Sequence, residues 1–440
     1  MTWPGAALDP GGATGATEAR TAPPTGDRES GAQRDLVGRV LRCYPVTVVV
    51  LAPYALLILP TAVFYRNPET GFIVSLVGLA LLGSVAVETI GRLSGRPDPR
   101  WREGFRRAHA RYPWLYPVAV VVTLTSVTAN VLGAHLGRGT IVNQVSGDLS
   151  DGPLAMVSTL FSGWTALGFA LLLASHLGGR LPRAKLYGWL AVLVGAEIYV
   201  AVLTALTAPL VALVFFMAAT GALCGVFRLR YLVVCAVVLF LAWPAVFEHR
   251  NALREDRGVA VDTKVTATDR LRLDSQLSVV AGFDVPVDLG QPGVTDYLRY
   301  GLVPRVLDPD RPVLSTGQRI NQYIGGGPTS AYTFLLLGNI WFFDGAVGVV
   351  AVHAFWAALA AVLLRWRGPP GPIRLSLFCL VLFDPLLWSN TYPDSTIGFL
   401  QHVVAATPVF VLLGLSRRSL HGARKNPDTP RLPTVPGAPR

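Results

Sequence analysis

Charged residues are scarce in this chain. Only 15% of its 440 residues are Asp, Glu, Lys or Arg, whereas about 25% is usual for a soluble domain. The hydrophobic share is 52% and the mean hydropathy is +0.46. A water-soluble core of this size cannot bury so much apolar surface, so the composition excludes an ordinary soluble enzyme. It also excludes disorder for most of the chain, and an all-α polytopic membrane protein remains.

Cysteine is also rare, and no metal-binding pattern is present. The four cysteines lie in apolar runs or at the edge of one, and their spacing does not match a zinc site: Cys43, Cys224, Cys235 and Cys379. We therefore expect packing residues and no disulfide framework. We also expect a reaction that needs neither a metal nor another cofactor.

The net charge of +11 does not indicate nucleic-acid binding. Most of the surplus lies in short loops between apolar runs, where it encodes membrane topology. Basic residues cluster in alternate short loops: 91–113, 180–185, 228–230, 365–374 and 417–418. By the positive-inside rule, both termini face the cytoplasm.

Ten apolar runs are long enough to cross a bilayer, at about 20 residues each. They lie near 44–64, 71–90, 115–136, 154–178, 186–205, 208–227, 231–248, 344–364, 374–390 and 396–416. Residues 1–43 are predicted to be a disordered cytoplasmic tail, because they are rich in Gly, Ala, Thr and Pro and lack apolar periodicity. Spans one to seven occupy 44–248, and a second cytoplasmic tail occupies 417–440.

One large extracytoplasmic loop, 249–330, is predicted between spans seven and eight. Within it we expect an amphipathic helix from Asp269 to Ala281 and a short helix that Thr295 caps. The following part, 331–416, holds spans eight to ten. It opens with a short or re-entrant helix that ends at Asp344 and Gly345.

The sequence from Leu302 to Gly345 carries the most specific motif. It contains Pro304-Arg305, then Arg311-Pro312, a glycine-rich turn over 325–328, Thr329-Ser330, and Gly338-Asn339 before Trp341. This order resembles the bacterial O-antigen and oligosaccharide repeat-unit polymerases, the Wzy-like family. The family's Glu-Tyr pair is Asn339 and Trp341 here, and its Lys before Pro is Arg311.

The resemblance implies a glycosyltransferase in the bacterial cytoplasmic membrane. Such an enzyme joins polyprenyl-diphosphate-linked oligosaccharide units into a surface polysaccharide at the outer face of the bilayer. Its expected partners are that lipid-linked glycan and the bilayer, together with proteins such as a flippase and a chain-length regulator.

Arginine and helix-capping residues are the candidate substrate ligands. Guanidinium groups bind phosphate oxygens two at a time, which makes Arg305 and Arg311 candidate diphosphate ligands. The alternative is that they only pair with Asp308 and Asp310. Thr329 and Ser330 are candidates because they follow a glycine break and can cap a helix. Arg250 is a further candidate, with a solvated helix extension as its alternative.

Ionisable residues inside apolar runs are candidate catalytic groups. Asp384 near the end of span nine and His402 near the start of span ten are predicted to lie at similar depth. A carboxylate that orients a histidine makes a general base for a sugar hydroxyl. The alternative is a structural hydrogen bond between two helices. Glu197 and His353 are weaker candidates, and Glu88 is expected to pair with Arg92.

Three rival functions stay open. A ligase that moves a finished glycan uses the same donor and leaving group as a polymerase. A polyprenyl-phosphate-sugar transferase needs an acidic pair in its first outer loop, where this chain has only Glu69. A transporter or flippase of lipid-linked sugars is disfavoured because the large loop divides the spans unevenly and no internal repeat is visible.

Overall fold

The computed structural model describes residues 43–93, 101–136, 153–227, 229–256, 266–291, 293–303, 307–308, 316–327, 331–365 and 370–424. All regular structure in these ranges is helical. In chain order the helices are α1 Pro45–Phe64, α2 Thr70–Leu93, α3 Trp101–Ala110, α4 Leu115–His135, α5 Pro153–Ser162, α6 Trp164–Leu177, α7 Arg183–Thr204 and α8 Ala208–Leu223. They continue with α9 Leu229–Glu255, α10 Ala267–Arg270, α11 Leu273–Ser278, α12 Val294–Leu302, α13 Thr316–Tyr323, α14 Leu335–Arg365, α15 Pro372–Phe383 and α16 Asp394–Arg424.

The chain is a polytopic helical membrane protein. Within the described ranges, seven helical segments are long and apolar enough to cross a membrane: α1, α2, α4, Leu160–Leu177 across α5 and α6, α7, α14 and α16. Helices α8 and α15 are apolar but shorter, with 16 and 12 residues. Each of the ten apolar runs predicted from the sequence coincides with a helix, although the ninth run is only partly helical.

Helix α6 lies in the middle of the bundle. Every residue from Thr165 to Ser175 is buried, as expected for a helix that is apolar on all sides. It packs against α4, α7 and α15, and also contacts α16. Helix α6 thus contacts both α15, which ends next to Asp384, and α16, which carries His402.

A second close pair is formed by α2 and α14. A side chain at Gly83 would overlap the backbone carbonyl of Val350, so only glycine allows the two backbones to approach this closely. Helix α14 has a kink at Gly345, whose φ of 63° is in the left-handed region. This kink lies at the predicted end of the short or re-entrant helix that precedes span eight.

The ninth predicted span, 374–390, is not one continuous helix, and this corrects the sequence-based prediction. Helix α15 ends at Phe383, and residues 384–393 are non-helical although Leu386 and Leu387 are buried. Pro385 explains the end, because it has no backbone N–H with which to continue the helical hydrogen bonds and its ring clashes with the preceding turn. Non-helical backbone is tolerated at membrane depth only where protein or a water-filled cavity surrounds it.

The long connection between α9 and α14 packs onto the helical bundle. Its predicted helix from Asp269 to Ala281 is divided into α10, α11 and a 3-10 turn at Val279–Gly282. Leu277 and Val280 are fully buried, so the apolar face of the predicted amphipathic helix packs against the bundle. The second predicted helix is α12. Its N-cap is Gly293 and not Thr295, with the Asp296 carboxylate accepting the Gly293 N–H at 3.1 Å.

Candidate functional site

Asp384 and His402 are in direct contact. His402 Nδ1 donates to Asp384 Oδ2 over 2.8 Å; Asp384 directly follows α15, and His402 lies in α16. The Asp384 side chain is 8% exposed and the His402 side chain 24% exposed. The structure thus confirms the contact between the two candidate residues, and their catalytic role stays a prediction.

His402 lines a cavity of about 430 Å³ whose lining contains both polar and apolar residues. This volume is within the range of about 300–1,000 Å³ that small-molecule sites occupy. Besides His402, the polar lining residues are Asn130, Ser162, Thr165, Glu197, Ser389 and Asn390. The apolar part is formed mainly by Ala208, Pro209, Ala212, Leu213, Phe383 and Leu387.

Helices α4 and α6 supply a connected polar wall. The Asn130 amide donates to the Thr165 hydroxyl over 2.9 Å, and the Ser126 hydroxyl lies 2.6 Å from the same oxygen. Thr165 in turn donates to the carbonyl of Ser162 over 3.0 Å. These bonds hold the side chains in fixed orientations, so the wall is organised before any ligand arrives.

A glycine at the junction of α5 and α6 makes room for the histidine ring. A Cβ atom at Gly163 would overlap both Cδ2 and Nε2 of His402. Trp164, the next residue, donates from Nε1 to the carbonyl of Ala405 over 3.2 Å. The junction is therefore fixed against α16 at the level of the imidazole.

The non-helical segment 384–393 is held by hydrogen bonds at both sides. The Asn390 amide donates to the carbonyls of Phe383 and Asp384 over 3.0 and 2.6 Å, which satisfies the last carbonyls of α15. The Trp388 carbonyl accepts the Leu336 N–H of α14 over 3.0 Å. Asp384 is thus presented from a rigid segment that contains no regular helix.

Helix α12 of the long connection docks on α16 beside His402. Gln401 donates to the Tyr300 carbonyl over 2.8 Å, and a side chain at Gly301 would overlap Leu400. Arg305 and Arg311 are outside the described residues, so their role as diphosphate ligands stays a prediction. Asp308, the partner proposed for Arg305 in the structural alternative, accepts a two-bond contact from Arg299 at 2.7 and 2.6 Å.

Thr329 and Ser330 also lie outside the described residues. The next helix, α14, begins only at Leu335, so the prediction that these residues cap it is wrong. Leu335 has a left-handed φ of 63°, which interrupts helical backbone there. Asn339 stabilises this bend, because it accepts the Phe334 N–H over 3.1 Å and donates to the Thr333 hydroxyl over 2.8 Å.

Arg250 belongs to α9 and makes local contacts. Its guanidinium carbon lies 4.7 Å from the Phe247 ring centroid, and Nη2 donates to Asn251 over 3.2 Å. Among the described residues that line the cavity, Arg250 is not included. Its role as a substrate ligand stays a prediction.

The remaining buried ionisable candidates differ in their surroundings. Glu197 lines the cavity. His353 is fully buried and donates from Nδ1 to the Val349 carbonyl of its own helix over 2.7 Å. Glu88 accepts the Val46 and Thr47 N–H groups at 2.8 and 3.3 Å and thereby caps α1. The expected partner of Glu88, Arg92, has a side chain outside the described part.

A second polar cluster contributes none of the described residues that line the cavity. Asp394 accepts the backbone N–H of Thr316 at 3.2 Å and its hydroxyl at 2.6 Å. Burial raises the pKa of the Tyr297 hydroxyl, and the nearby Asp344 carboxylate adds to the rise. Burial likewise raises the pKa of Tyr392, with Tyr297 and Asp344 as further causes. Both phenols therefore stay protonated at physiological pH and serve as hydrogen-bond donors.

Sequence reasoning missed most of the cavity lining. Asn130, which lines the cavity, is spaced four residues from Ser126 within an apolar run, so two polar side chains on one helix face were an available signal. Ser389 and Asn390 fall at the end of a predicted span, and nothing in the local sequence indicates that they line a cavity together with Asn130 of α4. Among the described residues, no group of three or more His, Cys, Asp or Glu side chains is arranged to hold a metal ion.

Comparison of the chain with protein-family models, with curated proteins and with solved structures finds no match in any of the three.

Proposed function

We propose that this protein is a membrane glycosyltransferase that polymerises polyprenyl-diphosphate-linked oligosaccharide units, with His402 as the general base. The observation that carries the proposal is the 2.8 Å bond from His402 to the buried Asp384, on the wall of a cavity inside a helical membrane protein. Ionisable groups inside a membrane protein are costly and are usually kept for function.

The proposed reaction is the displacement of a diphosphate by a sugar hydroxyl. The hydroxyl oxygen of the acceptor unit bonds to the anomeric carbon of the donor unit. The bond from that carbon to the diphosphate oxygen breaks, and the polyprenyl diphosphate leaves with the electron pair. His402 takes the hydroxyl proton on Nε2, because Nδ1 is engaged by Asp384.

Proton transfer in this step places a positive charge on His402 next to the Asp384 carboxylate. The Asp384 carboxylate faces the ring, and Asp384 is also the C-cap residue of α15. The carboxyl end of a helix carries a partial negative charge, so α15 adds to the stabilisation of an imidazolium. The carboxylate also holds the ring in the tautomer that leaves Nε2 as the proton acceptor.

The leaving diphosphate is proposed to contact Arg305 and Arg311. Both follow α12, which docks on α16 within one or two residues of His402 through Tyr300, Gly301 and Gln401. This docking supports the proposal, because it directs the long connection towards the helix that carries the base. Thr329 and Ser330 remain proposed ligands of the same lipid-linked substrate.

The proposed setting is the bacterial cytoplasmic membrane, with ten spans, both termini in the cytoplasm and the long connection outside. The distribution of basic residues in the short loops supports this orientation. The proposed partners are the lipid-linked oligosaccharide, a flippase and a chain-length regulator, with no role for nucleic acid.

Deletion of the gene in its host tests the proposed function. We expect surface glycans of one repeat unit in place of long chains, and recovery of long chains with the wild-type gene. Long chains that accumulate on the polyprenyl carrier would instead indicate a ligase. Lipid-linked units trapped on the cytoplasmic side would indicate a flippase. Either result would contradict the polymerase proposal.

A further inference from the structure

The end of the helical bundle opposite the cavity carries a dense group of basic side chains. Helix α6 has Thr165 of the cavity lining in its first turn, and it ends at Leu177 next to α3. Around that second end, residues 101–114 contain four arginines and one glutamate, and residues 179–188 contain two arginines, one lysine and no acidic residue. Seven basic residues against one acidic residue leave an excess of six positive charges in two short stretches.

Helix α3 is fixed across this end by a glycine and an arginine. A Cβ atom at Gly178 would lie 2.9 Å from the Cβ of His109, so glycine allows α3 to approach the end of α6. The Arg180 guanidinium donates to the carbonyls of Pro113 and Ala110 over 2.6 and 3.2 Å. These bonds tie the turn between α3 and α4 to the turn between α6 and α7, and they bring the two basic stretches together.

Five further basic side chains are exposed around this junction. They are Arg106 and Arg107 of α3, Arg111 in the turn that follows, and Arg183 and Lys185 of α7. Arg183 and Lys185 belong to the first turn of α7, where the helix dipole disfavours cations. Their charge therefore does not stabilise that helix, and a surface with so much charge of one sign attracts an anionic partner.

The basic group continues directly into apolar exposed surface on α4 and α7. Trp114 and Tyr187 are 48% and 46% exposed, and aromatic side chains of this kind prefer the boundary between lipid and water. Further along the two helices, Val121 and Val192 are also exposed. A ligand with an anionic head and apolar chains matches this order of surfaces, whereas a soluble acidic partner matches only the charge.

We propose that this end of the bundle binds an anionic phospholipid. The headgroup phosphate contacts the exposed basic side chains, with Arg183 and Lys185 at the start of α7, and the acyl chains lie along the exposed face of that helix. Trp189 of α7 donates to the Tyr116 hydroxyl of α4 over 3.5 Å, so α4 and α7 form one continuous surface beside the headgroup. This site is separate from the cavity and does not depend on the proposed glycosyl transfer.

Native mass spectrometry of the detergent-solubilised full-length protein tests the site. The two probes share their acyl chains: dioleoyl phosphatidylglycerol is anionic, and dioleoyl phosphatidylcholine is zwitterionic. We expect the wild type to bind phosphatidylglycerol more tightly. The double variant Arg183→Gln with Lys185→Gln should weaken that binding about tenfold and leave phosphatidylcholine binding unchanged, since each cation near an anionic lipid surface contributes about fivefold.

A charge-matched control and a second variant separate binding from folding. Arg66→Gln with Lys264→Gln also removes one arginine and one lysine, but outside the basic group, and should bind both lipids as the wild type does. Arg111→Gln should weaken phosphatidylglycerol binding about fivefold. The thermal midpoint without added lipid should be the same for all of these proteins. Added phosphatidylglycerol should raise the midpoint of the wild type most.

Competition distinguishes a lipid from other anions. Glycerol 1-phosphate has the headgroup charge without the chains, and neither it nor soluble polyglutamate should displace the bound lipid. Displacement by glycerol 1-phosphate would indicate a simple phosphate site, and displacement by polyglutamate an acidic protein partner. Either result would overturn the inference, as would equal affinity of the wild type for the two lipids or unchanged phosphatidylglycerol binding in the Arg183 and Lys185 double variant and in Arg111→Gln.

Discussion

The non-helical segment 384–393 is bounded by two aspartates with different surroundings. Asp384 contacts a histidine that lines a cavity. Asp394 accepts two hydrogen bonds from Thr316, one from the backbone and one from the side chain, at the start of α13. Both carboxylates are largely removed from solvent, and only nine residues lie between them. The partner of Asp384, His402, lines the cavity, whereas the partner of Asp394, Thr316, is the first residue of a helix.

The comparison shows which buried carboxylates are candidates for chemistry. Glu88 and Asp394 both satisfy backbone N–H groups at helix starts, so their charge serves the fold. Asp384 instead engages a ring that can exchange a proton with a ligand. Burial alone therefore does not make a carboxylate a catalytic candidate in a membrane protein, whereas burial together with a titratable partner at a cavity does.

The largest effect on chain growth is expected from Asp384→Asn. Asparagine keeps the shape, but its amide can donate to Nδ1 and hold His402 in the wrong tautomer. We expect the polymer yield to fall about a hundredfold or more. The measurement is the amount of polymer at matched protein levels in the membrane. The comparison of the two aspartates would be broken if Asp394→Asn reduced the yield per folded molecule equally.

Gly163→Ala should have the next largest effect. The added methyl group overlaps the His402 ring, so the ring must leave its position beside Asp384. We expect about a tenfold loss of polymer with the protein still accumulating in the membrane. Gly188→Ala is the matched control, because a methyl group there meets no atom within 4 Å. Normal polymer from Gly163→Ala would show that the ring position is not needed.

Asp394→Asn should lower stability and leave the chemistry intact. Replacing the carboxylate weakens a hydrogen bond from the Thr316 hydroxyl and one from its N–H, at a cost of about 1–2 kcal/mol. The thermal midpoint in detergent should therefore decrease, while polymer per folded molecule stays close to the wild-type value. Thr316→Val, which removes only the hydroxyl, should lower the midpoint by a smaller amount.

The smallest effect is expected for Arg250→Gln. Arg250 is not among the described residues that line the cavity, and it contacts Phe247 and Asn251 of its own helix. Polymer length should stay within about twofold of the wild type on a denaturing gel of lipid-linked glycans. A tenfold or larger loss would assign Arg250 to the substrate, as the sequence analysis proposed.

Prediction from the sequence was strongest where membrane physics acts on long segments. Apolar runs of about 20 residues predict helices because no other open structure satisfies its backbone inside lipid. The contact between Asp384 and His402 was also predictable, since consecutive spans place nearby positions at similar depth. The first inference depends on the length of an apolar run, and the second on the positions of two residues in consecutive spans.

The rest of the site could not be predicted because it depends on which helices become neighbours. Asn130, Thr165 and Glu197 come from three helices, and no local pattern determines that they face Asn390. The early end of α15 was missed because residues 385–388 are as apolar as a helix interior, although Pro385 indicated a break. The start of α14 was missed for a similar reason, since Leu335 adopts a left-handed φ that its side chain does not favour.

The central claim is that His402 accepts the proton of the attacking hydroxyl. The most direct test is the initial rate of chain growth by purified protein in proteoliposomes with lipid-linked repeat units, for wild type and His402→Ala. We expect a fall of about 10²–10⁴-fold, the usual contribution of a general base, together with partial recovery on adding imidazole to fill the space left by the ring. A rate for His402→Ala within threefold of the wild type at equal protein would contradict this role of His402.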